Sequence, residues 1–375
     1  MSDLVRSFAR AKLSSLPPEP PLPEEQDRED DSSSASSVSS TGTVRPTSSH
    51  TAAPPTHWSD YFAQELYLER QSDHGRAKFH IYLTPPATPK APLIVAHHGA
   101  GSSGLSFSLF ARELRKLMPE AGVMSIDARE HGSSVAWDPS GEVDNDLSIT
   151  TLSQDLVDVV RMTAAKSGWS DLPQLLLVGH SLGGAVVTET AKTGLLGNKL
   201  IGYAVLDVVE GSAMEALKSM QLYLSSRPSA FPSLDAAIEW HMRSRTIRNL
   251  DSARASVPSL LLQTPAGSWI WRTNLSKTEA YWSNWFDGMS SKFLSARGAK
   301  LLLLAGTDRL DKELMIGQMQ GKFQLQVFPA AGHFVQEDLP EKTAEVIVEF
   351  LRRNDRSTLV LPPKVSDLLK QGKKV

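Results

Sequence analysis

The chain has 375 residues, 41% of them hydrophobic, a formal net charge of -3 and no cysteine. That length supports one large α/β core or two smaller ones, and the near-neutral balance excludes a general polyanion binder, which needs a strong basic excess. No nucleic-acid partner is expected. Without cysteine there is no disulfide, thiolate nucleophile or thiolate metal site, which fits a reducing compartment, cytoplasmic or nuclear.

Residues 1–56 open with Met1 to Leu13, where arginines and serines alternate as in a transit peptide, but Asp3 and the acidic run from Glu24 to Asp31 weigh against that use. The stretch holds Pro17-Pro-Glu-Pro-Pro21 and a Ser/Thr tract from Ser32 to Ser49. Such composition buries too little apolar surface to offset chain entropy and reads as a disordered tail. One folded domain is expected over 57–355, and 356–375 form a mildly basic second tail. The apolar runs are too short to cross a bilayer, so no membrane association is expected.

From His57 onward, short apolar runs alternate with helix-length amphipathic stretches, as in a mainly parallel sheet covered on both faces. Tyr61–Glu69 and Lys78–Leu83 read as an opening antiparallel pair. Leu93–His97, Val123–Asp127, Leu175–Val178, Ile201–Leu206, Leu301–Leu304 and Phe323–Phe328 read as buried strands. Helices are predicted over Leu105–Leu117, Ile149–Ser167, Gly183–Thr193 and Pro340–Arg352. Between the sixth and seventh of these strands, Ser212–Ser291 is far longer than one crossover helix requires. It is predicted to be an inserted cap, about 211–292, over the ligand crevice. Trp240, Trp269, Trp271, Trp282 and Trp285 lie in it and need either a core of their own or a pocket to line. Asp251–Ser268, with weak periodicity, reads as a mobile loop.

The chemistry sits at Gly179-His-Ser-Leu-Gly-Gly184, directly after an apolar strand and before an Ala/Val-rich helix. That is a nucleophile elbow, in which Ser181 occupies a strained turn and Gly179 and Gly183 remove side chains that would clash. The helix points its positive end at the reaction centre. A serine needs a base, and His333, in the loop before the last helix, follows the last strand as a base should. An oxyanion needs backbone donors: Leu182 follows the nucleophile, and His98-Gly-Ala-Gly101 follows the third strand, with Ala100 the preferred second donor and Gly99 the fallback. His180 is expected to pack or orient the elbow, and His131 has no assigned role. Two aspartates at strand ends, Asp207 and Asp308, both satisfy the order Ser, Asp, His, and spacing by itself favours Asp308. No metal-ligand spacing occurs, and the chemistry requires no cofactor.

Beyond the elbow, the chain resembles the protein phosphatase methylesterases of the α/β-hydrolase superfamily. The resemblance runs through Asp127-Ala-Arg-Glu-His-Gly132, Leu206-Asp-Val-Val-Glu-Gly-Ser-Ala-Met214, Trp271-Arg272, Lys277-Thr-Glu-Ala-Tyr-Trp282, Asp308-Arg-Leu-Asp311 and Ile316-Gly-Gln-Met-Gln-Gly-Lys322, across most of His57 to Arg353. It implies an α/β-hydrolase fold and a serine esterase that demethylates the C-terminal leucine of the type 2A protein phosphatase catalytic subunit. The catalytic acid it implies is Asp207, which leaves Asp308 a neighbouring or partner-contact role. Two positions depart from the family pattern: Leu182 stands where methionine is common, and His98-Gly-Ala-Gly101 replaces a more glycine-rich stretch. Two other functions fit the residues, a generic small-molecule esterase or lipase and a phosphatase-binding protein with a vestigial site.

Overall fold

The computed structural model describes residues 56–73, 75–306 and 310–355. Apart from Thr56, both expected tails lie outside the described residues, as does Asp308.

The main sheet runs β1 (Gln64–Ser72), β2 (Gly75–Thr84), β4 (Gly122–Ile126), β3 (Leu93–His97), β6 (Leu175–His180), β7 (Leu200–Leu206), β11 (Ala299–Leu304) and β12 (Gln324–Val327), with a short β5 (Val135–Trp137) on β2. Pairings from β4 to β12 are parallel, and those of β2 with β1, β4 and β5 are antiparallel. The expected opening pair and the six further strands are all present, but the last, β12, lies at the sheet edge with its four residues only half-buried. β5 is an addition, too short to carry a periodic signal.

Two-residue alternation divides the core, because successive strand side chains point to opposite faces. Leu175, Leu177, Tyr203, Val205, Leu302 and Leu304 pack on one side with α2 (Ile149–Lys166) and α3 (Leu182–Thr193). Leu176, Val178, Ala204, Leu206, Leu301 and Leu303 face α1 (Ser108–Leu117) and the terminal helix, α12 (Pro340–Asn354). Both faces of the central strands are therefore apolar, and replacing one of these leucines by alanine costs about 2–5 kcal/mol.

The insertion between β7 and β11 contains α4 (Glu210–Leu217), α5 (Met220–Ser226), α6 (Leu234–Arg243), α7 (Leu250–Ser256), α8 (Trp282–Phe286) and α9 (Met289–Ser295). A three-stranded sheet of β8 (Ala230–Phe231), β10 (Trp269–Trp271) and β9 (Leu261–Gln263) completes it. Three of the tryptophans take the expected roles and two do not. Trp282 and Trp285 join the main core, whereas Trp240, Trp269 and Trp271 pack on a small cap core around Phe231, Ile247 and Val257. The expected loop at 251–268 is instead helix α7, a 3-10 turn at Val257–Leu260 and strand β9. Asn249 caps α7 by accepting from the Asp251 and Ser252 amides. Ser252 and Ser256 donate to the Glu337 backbone and carboxyl. The helix buries small polar faces held by hydrogen bonds, which an apolar-periodicity reading misses.

Candidate active site

β6 delivers Ser181 into backbone that few non-glycine residues adopt, φ 53 and ψ -118. The flanking glycines permit the turn. A Cβ on Gly179 would lie 2.1 Å from the Gly183 carbonyl oxygen, and one on Gly183 would lie 2.1 Å from that of His97. The Ser181 amide donates to Leu206 on β7 at 3.0 Å, and the Ser181 carbonyl accepts from Gly184 at 2.8 Å. Leu182, first residue of α3, has an amide with no intrahelical partner, and Ser181 makes no side-chain cap to the helix.

His333 and Asp207 come together from elements 126 residues apart: His333 Nδ1 lies 2.8 Å from Asp207 Oδ2. Asp207 follows β7 at φ 51 with its side chain fully enclosed, and its Oδ1 accepts from the Ala305 amide at 2.8 Å. The His333 ring is 44% exposed and faces the same cavity as Ser181. No hydrogen bond joins Ser181 Oγ to His333 among the described residues.

The loop of His98 to Gly101 is clamped by three buried histidines, and for His97 and His131 no sequence motif signals that role. His97 Nδ1–H donates to the His98 carbonyl at 3.0 Å. His98 accepts from the Ala128 amide at Nε2, 2.9 Å, so its proton is on Nδ1 and donates to the Gly99 carbonyl at 2.7 Å. His131 Nε2 accepts from the Gly101 amide at 2.9 Å while its Nδ1–H donates to the Arg129 carbonyl at 2.8 Å. Burial lowers all three pKa values, His97 to about 4, so the rings stay neutral and can accept. The Gly99 carbonyl also accepts from the Ser102 amide at 3.1 Å. In a trans peptide N–H and C=O point oppositely, so fixing that carbonyl turns the Ala100 N–H away from the buried His98 ring.

His180, expected to pack or orient the elbow, ties it to the His333 loop. Its ring lies tilted against those of His333 and Phe334, centroids 4.7 and 4.8 Å away, and its Nε2–H donates to the His333 carbonyl at 2.8 Å. Burial lowers its pKa to about 3, keeping it neutral beside His333.

The cavity above these groups holds about 580 Å³, within the range that encloses a small ligand or a chain end. Gly99, Ala100, Ser181 and His333 form its floor, and the cap supplies Met220, Tyr223, Arg227, Trp240 and Trp271. Arg272 and Thr273 fasten the cap to the motif after β4, donating to the carbonyls of Gly132 and Glu130. The remaining expected acid, Asp308, lies outside the described residues. Among those described, no cluster of candidate metal ligands occurs and no helix is long and apolar enough to cross a membrane.

Residues 94–346 match the alpha/beta hydrolase family. The protein phosphatase methylesterase 1 of Aspergillus fumigatus is 59% identical over 390 residues, covering 98% of this chain and 93% of that relative. The chain belongs to the protein phosphatase methylesterase family. The namesake from Schizosaccharomyces pombe is 44% identical over 309 residues, covering 82% of this chain and 87% of its own length. Among solved structures, E-2-(acetamidomethylene)succinate hydrolase superposes with TM-score 0.56 at 20% identity, covering 76% of this chain and 100% of its own. An M. tuberculosis esterase gives 0.52 at 18%, covering 77% and 92%. These two likenesses concern the fold alone. Membership in the methylesterase family makes this chain a carboxylic ester hydrolase.

Proposed function

We propose that this methylesterase removes the methyl group from the C-terminal leucine of the type 2A protein phosphatase catalytic subunit, using Ser181 as nucleophile, His333 as base and Asp207 as the acid that orients it. The observation that carries this reading is the 2.8 Å contact of His333 with a fully enclosed Asp207, beside a serine held in strained backbone in the same cavity. The names of relatives sharing nearly the whole chain supply a protein phosphatase as the substrate class, and the resemblance of the sequence implies the type 2A subunit and its C-terminal leucine.

Ser181 Oγ attacks the ester carbonyl as its proton passes to His333 Nε2, while Asp207 holds Nδ1–H and stabilises the imidazolium. The tetrahedral oxygen accepts from the amides of Leu182 and Ala100. Collapse breaks the C–O bond, and methanol leaves with the proton from His333. Water then gives a proton to His333 as it attacks the acyl-enzyme, and Ser181 regains its proton as the peptide carboxylate departs. No step calls for a cofactor or metal. The absent bond between Ser181 and His333 fits a base that closes on its nucleophile when substrate binds. The cysteine-free composition supports a cytosolic or nuclear site of action.

The test is to incubate the protein with methylated phosphatase core enzyme and follow the C-terminal peptide by mass, with Ser181→Ala as control. Loss of the methyl group only with Ser181 present is expected. Rapid turnover of free short-chain esters without demethylation of the phosphatase would favour a generic esterase. Binding of the phosphatase with no turnover of any ester would favour a vestigial site.

A further inference from the structure

Arg227 stands at the end of α5 and lines the cavity that holds Ser181 and His333. Its guanidinium lies over the Trp271 ring, 4.3 Å from the centroid. Trp271 cannot easily move, because its indole N–H donates to the Pro228 carbonyl at 2.7 Å and Phe231, Trp240 and His241 set T-shaped rings against it. The ring thereby offers the guanidinium a fixed face.

Stacking uses only the face of the guanidinium plane. The five N–H donors of an arginine point outward from its edge, so a ring over the face satisfies none of them. Nε of Arg227 is enclosed and has no hydrogen-bond partner, and among the described residues no carboxylate pairs with the group. Other half-buried or buried arginines here are paired. Arg129 binds Asp144 and Asp155, and Arg272 donates to the carbonyls of Ser259, Gly132 and Leu261. Leaving a desolvated cation without an acceptor is costly, and such a cost persists where a ligand supplies the missing group. Glu337, the carboxyl in the same cavity lining, offers no countercharge, since burial pushes its pKa well above the usual carboxylate range.

We propose that Arg227 is an anion subsite of this cavity, taking a carboxylate of the substrate peptide edge-on through paired in-plane hydrogen bonds. The inference rests on the reading of the substrate as a peptide methyl ester. The ester itself is uncharged, so the carboxylate comes either from an acidic side chain just upstream of the esterified residue or from the terminal carboxylate that hydrolysis releases.

Binding to the full chain carrying Ser181→Ala separates the possibilities. The probes are fluorescent hexapeptides ending in leucine: methyl esters with aspartate scanned through the three preceding positions, the same set with asparagine, and a neutral peptide with a free terminal carboxylate. One aspartate ester is expected to bind about tenfold tighter than its asparagine counterpart, roughly the worth of one charge-assisted contact. Arg227→Gln should bind the two equally, and Arg227→Lys should keep part of the preference. If the free carboxylate alone gains from Arg227, the subsite holds product. A preference that survives Arg227→Gln, or no gain for any of the carboxylate probes with Arg227 present, overturns the proposal. Hydrolysis is read separately with Ser181 intact. Charge-selective binding of a peptide ester that is never cleaved would keep the subsite and sink the esterase reading.

Discussion

The Gly101 amide donates to Nε2 of His131 at 2.9 Å, joining the loop after β3 to a turn thirty residues later. With the bonds from His97 and His98, this leaves the peptide units around Ala100 little freedom to rotate. His131→Phe removes the acceptor and leaves a part-buried amide unpaired. We expect kcat to fall by about 10- to 100-fold with a smaller change in KM, as for a misplaced oxyanion donor. His131→Gln, which can still accept, should recover part of the loss. Equal kcat in all three proteins would detach this clamp from catalysis.

Asp207→Asn should lower turnover by about 10⁴-fold, the loss found when the acid of a serine protease triad is so changed, because an amide can hold His333 in the wrong tautomer. Asp308→Asn should cost far less. Steady-state kinetics on one ester decide the matter, and reversed effects would move the acid to the later strand.

Strain at Ser181 is measurable by comparing two inactive variants. Ser181→Ala keeps the Cβ at φ 53, whereas Ser181→Gly removes it. Such backbone costs about 1–3 kcal/mol for a non-glycine residue, and the added entropy of an unfolded glycine returns about 0.4–1 kcal/mol of that. The glycine variant should therefore be the more stable by about 1 kcal/mol in urea unfolding. A less stable glycine variant would mean that the elbow stores no strain.

Gly183→Ala tests the opposite constraint, space. Its Cβ would meet the His97 carbonyl oxygen at 2.1 Å, and neither β3 nor α3 can retreat without breaking the sheet or the helix contact. A loss of more than about 3 kcal/mol or a failure to fold is expected. A change within 1 kcal/mol would show that the approach of α3 to β3 is loose.

His80 lies between Asp127 and Glu65, its Nδ1 2.6 Å from Asp127 and its Nε2 2.8 Å from Glu65. Burial pulls the His80 pKa down, but hydrogen bonds and charge from the two carboxylates override it and hold the value above normal. Burial likewise raises Asp127, and its bonds to His80 and to the Gly104 amide bring it below normal. The histidine's contribution is thus complete below its unfolded pKa of about 6.5 and fades as pH rises through the folded value. That of Asp127 is complete above about 3.9 and is lost as pH falls through its depressed value. The stability gap between the parent and His80→Phe should be widest near pH 5 and narrow toward pH 9. A gap independent of pH would show that His80 contributes packing alone.

Local pattern by itself determined the elbow, the strand series and the position of the proposed base. Ser181 is legible because strand, glycine-flanked turn and helix are contiguous, and His333 because the loop after the last strand must reach back over the sheet. The unbroken apolar runs of β3, β6 and β7 announce burial on both faces. Tertiary structure decided the contacts whose partners are distant in the chain. Spacing favoured Asp308 and the family resemblance Asp207; side-chain direction depends on the backbone at the strand end, and at φ 51 Asp207 reaches His333. His131 carries no motif because its function is to accept one amide from a loop brought near only by the parallel pairing of β3 with β4. Helix α7 escaped notice because its buried face is serine and alanine, and the groups that satisfy those hydroxyls lie about eighty residues on, at Glu337. Arg227 reads as one cation among many until the fold sets it over Trp271 and leaves its Nε–H without an acceptor.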